Sequence, residues 1–96
     1  MTPENGGKIE LKLGPSSAET AEYDALLQTS AHSFRGKAQV GAKQVSFGAW
    51  QTDAASEPPE WLLADARAAL KAALRTSQVE GRWPRRITRW RPEPSQ

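Results

Sequence analysis

The sequence predicts a small two-layer α+β fold, in which two helices cover one face of a four-stranded antiparallel sheet in the order β-α-β-β-α-β. Three observations lead to this fold class. Apolar and polar residues alternate over 8–13, two further alternating runs flank a glycine-bearing turn within 33–50, and 60–78 is rich in alanine and leucine. The ferredoxin-like split βαβ arrangement is the usual solution for that element order.

The chain length fits one domain. Ninety-six residues with a mass of 10.5 kDa leave no room for two independent cores. We expect residues 8–91 to form a single α+β domain, with a flexible lead at 1–7 and a flexible tail at 92–96. The sequence contains no internal repeat.

The first two predicted elements are a strand and a helix. Residues 8–13 alternate apolar Ile9, Leu11 and Leu13 with charged Lys8, Glu10 and Lys12, which is typical of a half-buried strand. Residues 16–29 are predicted to form a helix, because Ser16 and Ser17 suit an N-cap and acidic side chains suit its first turns. Those acidic residues are Glu19, Glu22 and Asp24. Alanines, Tyr23 and two leucines would form its thin apolar face.

A hairpin is predicted next, from strands at 33–40 and 44–50 joined by 41–43. In its second strand Val45, Phe47 and Ala49 share the apolar face, whereas Trp50 falls on the opposite face. We therefore expect Phe47 to lie in the core.

The last two elements are a helix and a strand. Pro58 and Pro59 suit the entry of a helix over 60–78, and Gly81 suits its end. The inward stripe of this helix is predicted to consist of Leu62, Leu63, Ala66, Ala69, Leu70, Ala73 and Leu74. Residues 85–91 are β-branched and aromatic enough for a strand between Pro84 and Pro92.

The composition argues against several function classes. The chain has no cysteine and one histidine, so disulfides, thiolate zinc sites and most other metal sites are not expected. No convergent set of titratable residues is evident, so we expect no enzymatic activity and no cofactor. The sequence shows neither a membrane-spanning run nor a signal peptide at its start, and a cytoplasmic location is expected.

The charge is distributed unevenly. Residues 1–65 hold five Lys or Arg against nine Asp or Glu, and residues 66–92 hold eight against one. This basic segment contains the candidate binding residues, which are Arg67, Lys71, Arg75, Arg82, Arg85, Arg86, Arg89 and Trp90. Such an asymmetry suggests an anionic partner or two halves that neutralise each other.

Three interpretations of the basic segment remain open at this point. In the first, the arginines protect an edge strand and Trp61 and Trp83 fill the core. Three acidic residues of the first predicted helix would then neutralise the cations of the last helix: Glu19, Glu22 and Asp24. Alternatively, the surface captures a protein partner with an acidic or strand-forming segment, because Trp and Arg are enriched at binding hot spots. The third interpretation is nucleic-acid binding, single-stranded or RNA, through the same surface. Because basic residues fall on both faces of the predicted last strand, protein capture is the favoured hypothesis.

Overall fold

Six strands and one helix make up the described part of the chain, which in this computed structural model is residues 6–30, 32–41, 44–52 and 57–92. The elements are β1 (Gly6–Ser16), β2 (Ala21–Thr29), β3 (Ser33–Val40), β4 (Val45–Phe47), β5 (Gln51–Thr52), α1 (Glu60–Glu80) and β6 (Arg86–Pro92). All strand pairs are antiparallel. The strand order is β4-β3-β2-β1-β6, and β5 also pairs with β3. Residues 1–5 and 93–96 of the expected flexible lead and tail lie outside the described residues, whereas Gly6 and Gly7 belong to β1 and Pro92 belongs to β6.

The predicted four-stranded sheet with two helices is wrong, and so is the ferredoxin-like arrangement. Residues 21–29, expected to be helical, form strand β2 in the middle of the sheet. Burial alternates along it: Ala21, Tyr23, Ala25 and Leu27 are buried, and the residues between them are not. A period of two satisfies a strand with one covered face, so tertiary burial overrides the helix propensity of the alanines.

The other predicted elements are present, but the second hairpin strand is much shorter than the predicted 44–50. Residues 8–13 lie within β1, residues 33–40 form β3, and 45–47 form β4 of the hairpin. The helix spans Glu60–Glu80 and ends at Gly81, which has φ 78° and donates its N–H to the Ser77 carbonyl at 2.9 Å. Glycine adopts this left-handed conformation without a steric penalty. The last strand begins at Arg86, one residue later than predicted.

A bulge separates β4 from β5 and corrects the predicted position of Trp50. Phe47 lies opposite Ala38 and Gln51 lies opposite Arg35, so the edge carries one more residue than β3 over this stretch. The bulge turns Trp50 onto the covered face, where it packs against the core and lies 5.5 Å from the Phe47 ring. A Cβ at Gly36 would be 2.8 Å from Trp50 Cε3, so a side chain there would displace the ring. Phe47 packs against the core as predicted.

Helix α1 covers one face of the sheet and completes the core. Its buried apolar residues are Leu62, Ala66, Ala69, Leu70 and Ala73. Leu63 and Leu74, predicted within the same stripe, are half-buried at its margins. Sheet residues with alternating burial meet the helix: Ile9, Leu11, Tyr23, Leu27, Phe34 and Val40. We call the other face of the sheet, which α1 does not cover, the open face.

Two hydrogen bonds attach the segment between α1 and β6 to the rest of the fold. The Tyr23 hydroxyl donates to the Pro84 carbonyl at 2.7 Å. The Trp83 indole N–H donates to the Ser17 carbonyl at 2.8 Å, and its ring is buried. Buried polar groups that are paired in this way avoid a desolvation penalty. The connection therefore fixes where β6 begins.

Alkaline pH is expected to destabilise the fold through Tyr23. Burial raises the pKa of Tyr23 from 10.0 to about 12. Between these values the unfolded chain releases the phenolic proton and the folded chain keeps it, so the stabilisation is complete below pH 10.0 and falls as the pH rises towards 12. The free energy of unfolding should fall by roughly 2–3 kcal/mol across this range.

Urea unfolding at a series of pH values from neutral to strongly alkaline measures this effect. Because Tyr23 is the only tyrosine in the chain, its ultraviolet absorbance reports phenolate formation directly. The matched control is Tyr23→Phe, which should lose less stability over the same range. Equal losses in the two proteins would show that Tyr23 does not cause the alkaline destabilisation.

Candidate binding edge

Strand β6 forms one edge of the sheet. It pairs with β1 on one side, and within the described residues no strand pairs with its other side. Leu13 N–H donates to the Arg85 carbonyl at 2.9 Å, and Ile9 lies opposite Arg89 in the same ladder. Because backbone groups in an antiparallel ladder alternate in direction, every second residue of β6 points its N–H and C=O away from β1. These outward residues are Arg86, Thr88 and Trp90.

The side chains of β6 divide between the two faces of the sheet. Ile87 lies opposite buried Leu11 and packs against the core, which places it on the side of α1. Arg89 and Arg91 share its alternation and therefore lie on this helix side. Arg86, Thr88 and Trp90 lie on the open face. All residues of β6 except Ile87 are exposed.

On the open face, one carboxylate of β1 lies near two cations. The Arg86 guanidinium lies 3.8 Å from the Glu10 carboxylate, and the Lys8 ammonium lies 3.9 Å from the same side chain. The Lys8 ammonium is also 5.6 Å from the centre of the Trp90 ring, within range of a cation–π contact. The Trp90 side chain remains 55% exposed.

On the helix side of β6, one arginine has no ion-pair partner among the described residues and the other has one carboxylate nearby. Among the described residues no carboxylate lies within ion-pair distance of Arg89. Arg91 approaches Asp65 of α1 with Nη1 and Oδ1 3.9 Å apart, and half of the Arg91 side chain is exposed. An anionic group beside this part of the edge would meet the Arg89 guanidinium and the exposed part of the Arg91 guanidinium.

The candidate residues of α1 form a separate surface. Arg67, Lys71 and Arg75, which we call the helix ridge, lie at four-residue spacing on the side of α1 that faces away from the sheet. Arg67 donates to Glu60 Oε1 from both terminal guanidinium nitrogens, at 3.2 and 3.3 Å. The helix ridge and the open-face residues of β6 therefore lie on opposite sides of the two-layer fold.

The acidic residues expected to neutralise the helix ridge lie elsewhere, so that part of the structural interpretation is wrong. Glu22 and Asp24 belong to β2 and project onto the open face. Lys37 Nζ lies 2.7 Å from Asp24 Oδ1 and 3.9 Å from Glu22 Oε2. The hydrogen bond to Asp24 raises the pKa of Lys37. Glu19 is exposed between β1 and β2.

Arg82 and Arg85 occupy the connection between α1 and β6. Both line an open cleft of about 660 Å³, which Glu80 and Trp83 also line near the C-terminal end of the helix. Arginines near a helix C-terminus interact favourably with its partial negative charge. These two residues are thus a third location for the candidate set, next to the start of β6.

Sequence reasoning did not include two cations of the open face among the candidates. Lys12 and Arg35 are exposed, and within the described residues neither has an ion-pair partner. A cleft of about 590 Å³ on this face is lined by both. Alternation within 8–13 and 33–40 already placed Lys12 and Arg35 on polar faces, whereas their position on one shared face depends on β2, which lies between β1 and β3.

The surroundings of His32, the grouping of metal-ligating side chains and the character of the helix bear on catalytic, metal-binding and membrane functions. His32 is exposed in the turn before β3, where its backbone N–H donates to Thr29 Oγ1 at 3.0 Å. No group of three or more metal-ligating side chains lies together in residues 6–30, 32–41, 44–52 and 57–92. Over the same residues, no helix has the length and apolar character that crossing a bilayer requires.

No protein family, curated protein or solved structure matches this chain. The arrangement of residues at the β6 edge therefore carries the functional argument by itself.

Proposed function

We propose that this protein is a non-enzymatic binding domain, which captures an acidic, strand-forming segment of a protein partner at the free edge of β6. The observation that carries the proposal is the row of outward N–H and C=O groups at Arg86, Thr88 and Trp90. Such a row is a template for an additional strand, and strand addition at a sheet edge is a recurrent mode of peptide recognition.

The charge next to this edge supports an acidic partner. Arg89 and Arg91 lie on its helix side, and Arg82 and Arg85 precede it in the chain. Arginine binds carboxylates through two parallel hydrogen bonds, which adds geometric specificity to charge attraction. Main-chain bonds from the edge and side-chain bonds from the arginines would thus act on the same segment. The lack of cysteine is compatible with a reducing compartment, and we propose a cytoplasmic location.

Nucleic-acid binding is the alternative, and its support is weaker. A single-strand platform combines a continuous basic groove with several exposed rings. Here the helix ridge lies on the opposite side from the open face, and open-face cations such as Lys37 and Arg86 are paired with carboxylates. Trp90 is the one tryptophan among the exposed large hydrophobic residues of the described chain.

Proline at position 88 is expected to abolish capture while preserving the fold. The Thr88 N–H points away from β1, so Thr88→Pro removes a donor from the free edge and none from the ladder. The probe is a fluorescein-labelled nine-residue peptide that alternates glutamate with valine and threonine, followed by fluorescence anisotropy. We expect Thr88→Pro to weaken binding at least about tenfold, because strand addition needs this edge, with little change in the melting temperature.

Two controls accompany this experiment. Thr88→Val keeps the backbone N–H and should retain most of the binding, whereas a peptide with glutamine in place of glutamate should bind weakly. Single- and double-stranded oligonucleotides are titrated in parallel across a salt series. Unchanged peptide binding by a folded Thr88→Pro protein would overturn the proposal. Tight, steeply salt-dependent binding of oligonucleotides without peptide binding would favour the nucleic-acid alternative.

A further inference from the structure

We infer that the captured segment joins β6 as an antiparallel strand with its acidic side chains on the helix side, opposite Arg89 and Arg91. Its neutral side chains then lie on the open face, next to Arg86, Thr88 and Trp90. This inference rests on the proposed function and specifies the sequence pattern of the partner. The pattern is an acidic residue at every second position, separated by apolar or β-branched residues.

The helix side of β6 carries two arginines, of which Arg91 approaches Asp65 at 3.9 Å and Arg89 has no ion-pair partner among the described residues. On the open face Arg86 and Lys8 already approach Glu10. A carboxylate added there would compete with Glu10 for Arg86. On the helix side Arg89 has no carboxylate near it among the described residues. A new carboxylate there gains a charge-assisted hydrogen bond without displacing another.

The open face offers contacts that suit a neutral side chain. Trp90 is 55% exposed, and its ring already has the Lys8 ammonium nearby. An apolar or β-branched residue on the added strand would cover part of this ring and exclude water from it. Aromatic and β-branched side chains that pack together on adjacent strands stabilise a sheet.

The backbone links the face of each side chain to the direction of its N–H. In an antiparallel pair, residues directly opposite each other share a face, and hydrogen-bonded pairs alternate with non-bonded pairs. Partner residues opposite Arg86, Thr88 and Trp90 therefore point their N–H groups at β6. Those opposite Arg89 and Arg91 point their N–H groups away. The neutral residues of the segment therefore donate their N–H groups to β6, whereas the N–H groups of the acidic residues make no bond to it.

Matched protein variants test the choice of face. The probe is the same peptide, which alternates glutamate with valine and threonine. Arg89→Gln should raise its dissociation constant at least about tenfold, because a charge-assisted hydrogen bond is lost. Arg86→Gln removes the same charge from the open face of β6. It should raise the dissociation constant by less than about threefold. Melting temperatures check that both proteins are folded.

Matched peptides test the orientation of the backbone. One peptide is N-methylated at its central valine and threonine residues, and the other is N-methylated at its central glutamates. The two have the same composition and charge, so they differ only in which N–H groups are blocked. We expect the first peptide to lose binding and the second to keep most of it.

The outcomes separate the inference from the proposed function. Binding that is more sensitive to Arg86→Gln than to Arg89→Gln, or that is lost on methylation of the glutamates, overturns the inferred arrangement and leaves acidic capture intact. If the unmodified peptide does not bind the native protein, the proposed function itself fails. Loss of binding by both methylated peptides would also contradict the assignment of faces.

Discussion

Replacing Leu70 with alanine is expected to lower the free energy of unfolding by about 2–5 kcal/mol. Leu70 is completely buried in the middle of α1, facing the sheet. The substitution removes three buried carbon atoms, and the alanines around it on the helix are too small to fill the cavity. Much of the core contributed by the helix is alanine, so few large side chains hold the two layers together.

Val79→Ala provides the control on the same helix. Val79 is 86% exposed, and alanine has the higher helix propensity, so its effect should stay within about 0.5 kcal/mol of zero. Urea denaturation followed by far-ultraviolet circular dichroism compares both variants with the native protein. Similar losses in the two variants would contradict the orientation of α1.

Trp83→Ala is expected to have a comparable effect, about 3–5 kcal/mol. The ring is 7% exposed and belongs to the core, and its indole N–H donates to the Ser17 carbonyl at 2.8 Å. Truncation removes the buried ring and leaves that carbonyl without its donor. It also loosens the connection from which β6 starts, so it should weaken peptide binding through loss of the folded state.

A second tryptophan in the same region provides the comparison. Trp90→Ala removes a ring of the same size that is 55% exposed, so its effect on unfolding should be well below that of Trp83→Ala. Trp83→Phe removes the hydrogen bond together with part of the buried ring, so its loss should lie between those of the other two variants. Chemical denaturation gives all three values. A larger loss for Trp90→Ala than for Trp83→Ala would refute the assignment of Trp83 as the buried ring.

The one large error in the fold concerns β2, and its cause is visible in the sequence. Ala21, Tyr23, Ala25 and Leu27 stand at alternate positions, as the apolar residues of β1 do, but apolar Leu26 interrupts the pattern. Alanine and acidic residues favour a helix by composition, and a short amphipathic helix and a short strand produce overlapping patterns. Whether residues 21–29 form a helix or a strand depends on β1 and β3, which pair with β2 on its two sides. Such long-range pairing has no local signal.

The hairpin and the second helix were predictable because their local signals agree with each other. Alternation flanks a glycine-bearing turn in the first case, and prolines and Gly81 bound an alanine-rich segment in the second. Trp50 was misplaced because one extra residue in the edge strand reverses the direction of every side chain after it. The bulge is defined by the register with β3, where the Trp50 ring lies over Gly36, and this pairing has no signal within 44–52 alone.

For the candidate site, the sequence identified the basic residues but not their distribution in space. Periodicity placed Arg67, Lys71 and Arg75 together on one helix face, and they do lie together. Alternation also placed Arg86 and Arg89 on opposite faces of the last strand, but it could not show which of these faces the helix covers, nor that Glu10 pairs with Arg86. Both facts follow from the register between β1 and β6, which joins distant parts of the chain.

The pairing of β6 with β1 has a consequence for how the chain reaches its folded state. Strands β1, β2 and β3 follow one another as hairpins, so their contacts close short loops. The ladder between β1 and β6 joins residues as distant as Gly6 and Pro92 and must enclose all other elements. Its loop-closure entropy is the largest in the sheet, so forming it early is the least favourable route. The β1–β6 ladder, whose outer side is the free edge, thus joins residues that lie farther apart in the sequence than those of the other ladders in the sheet.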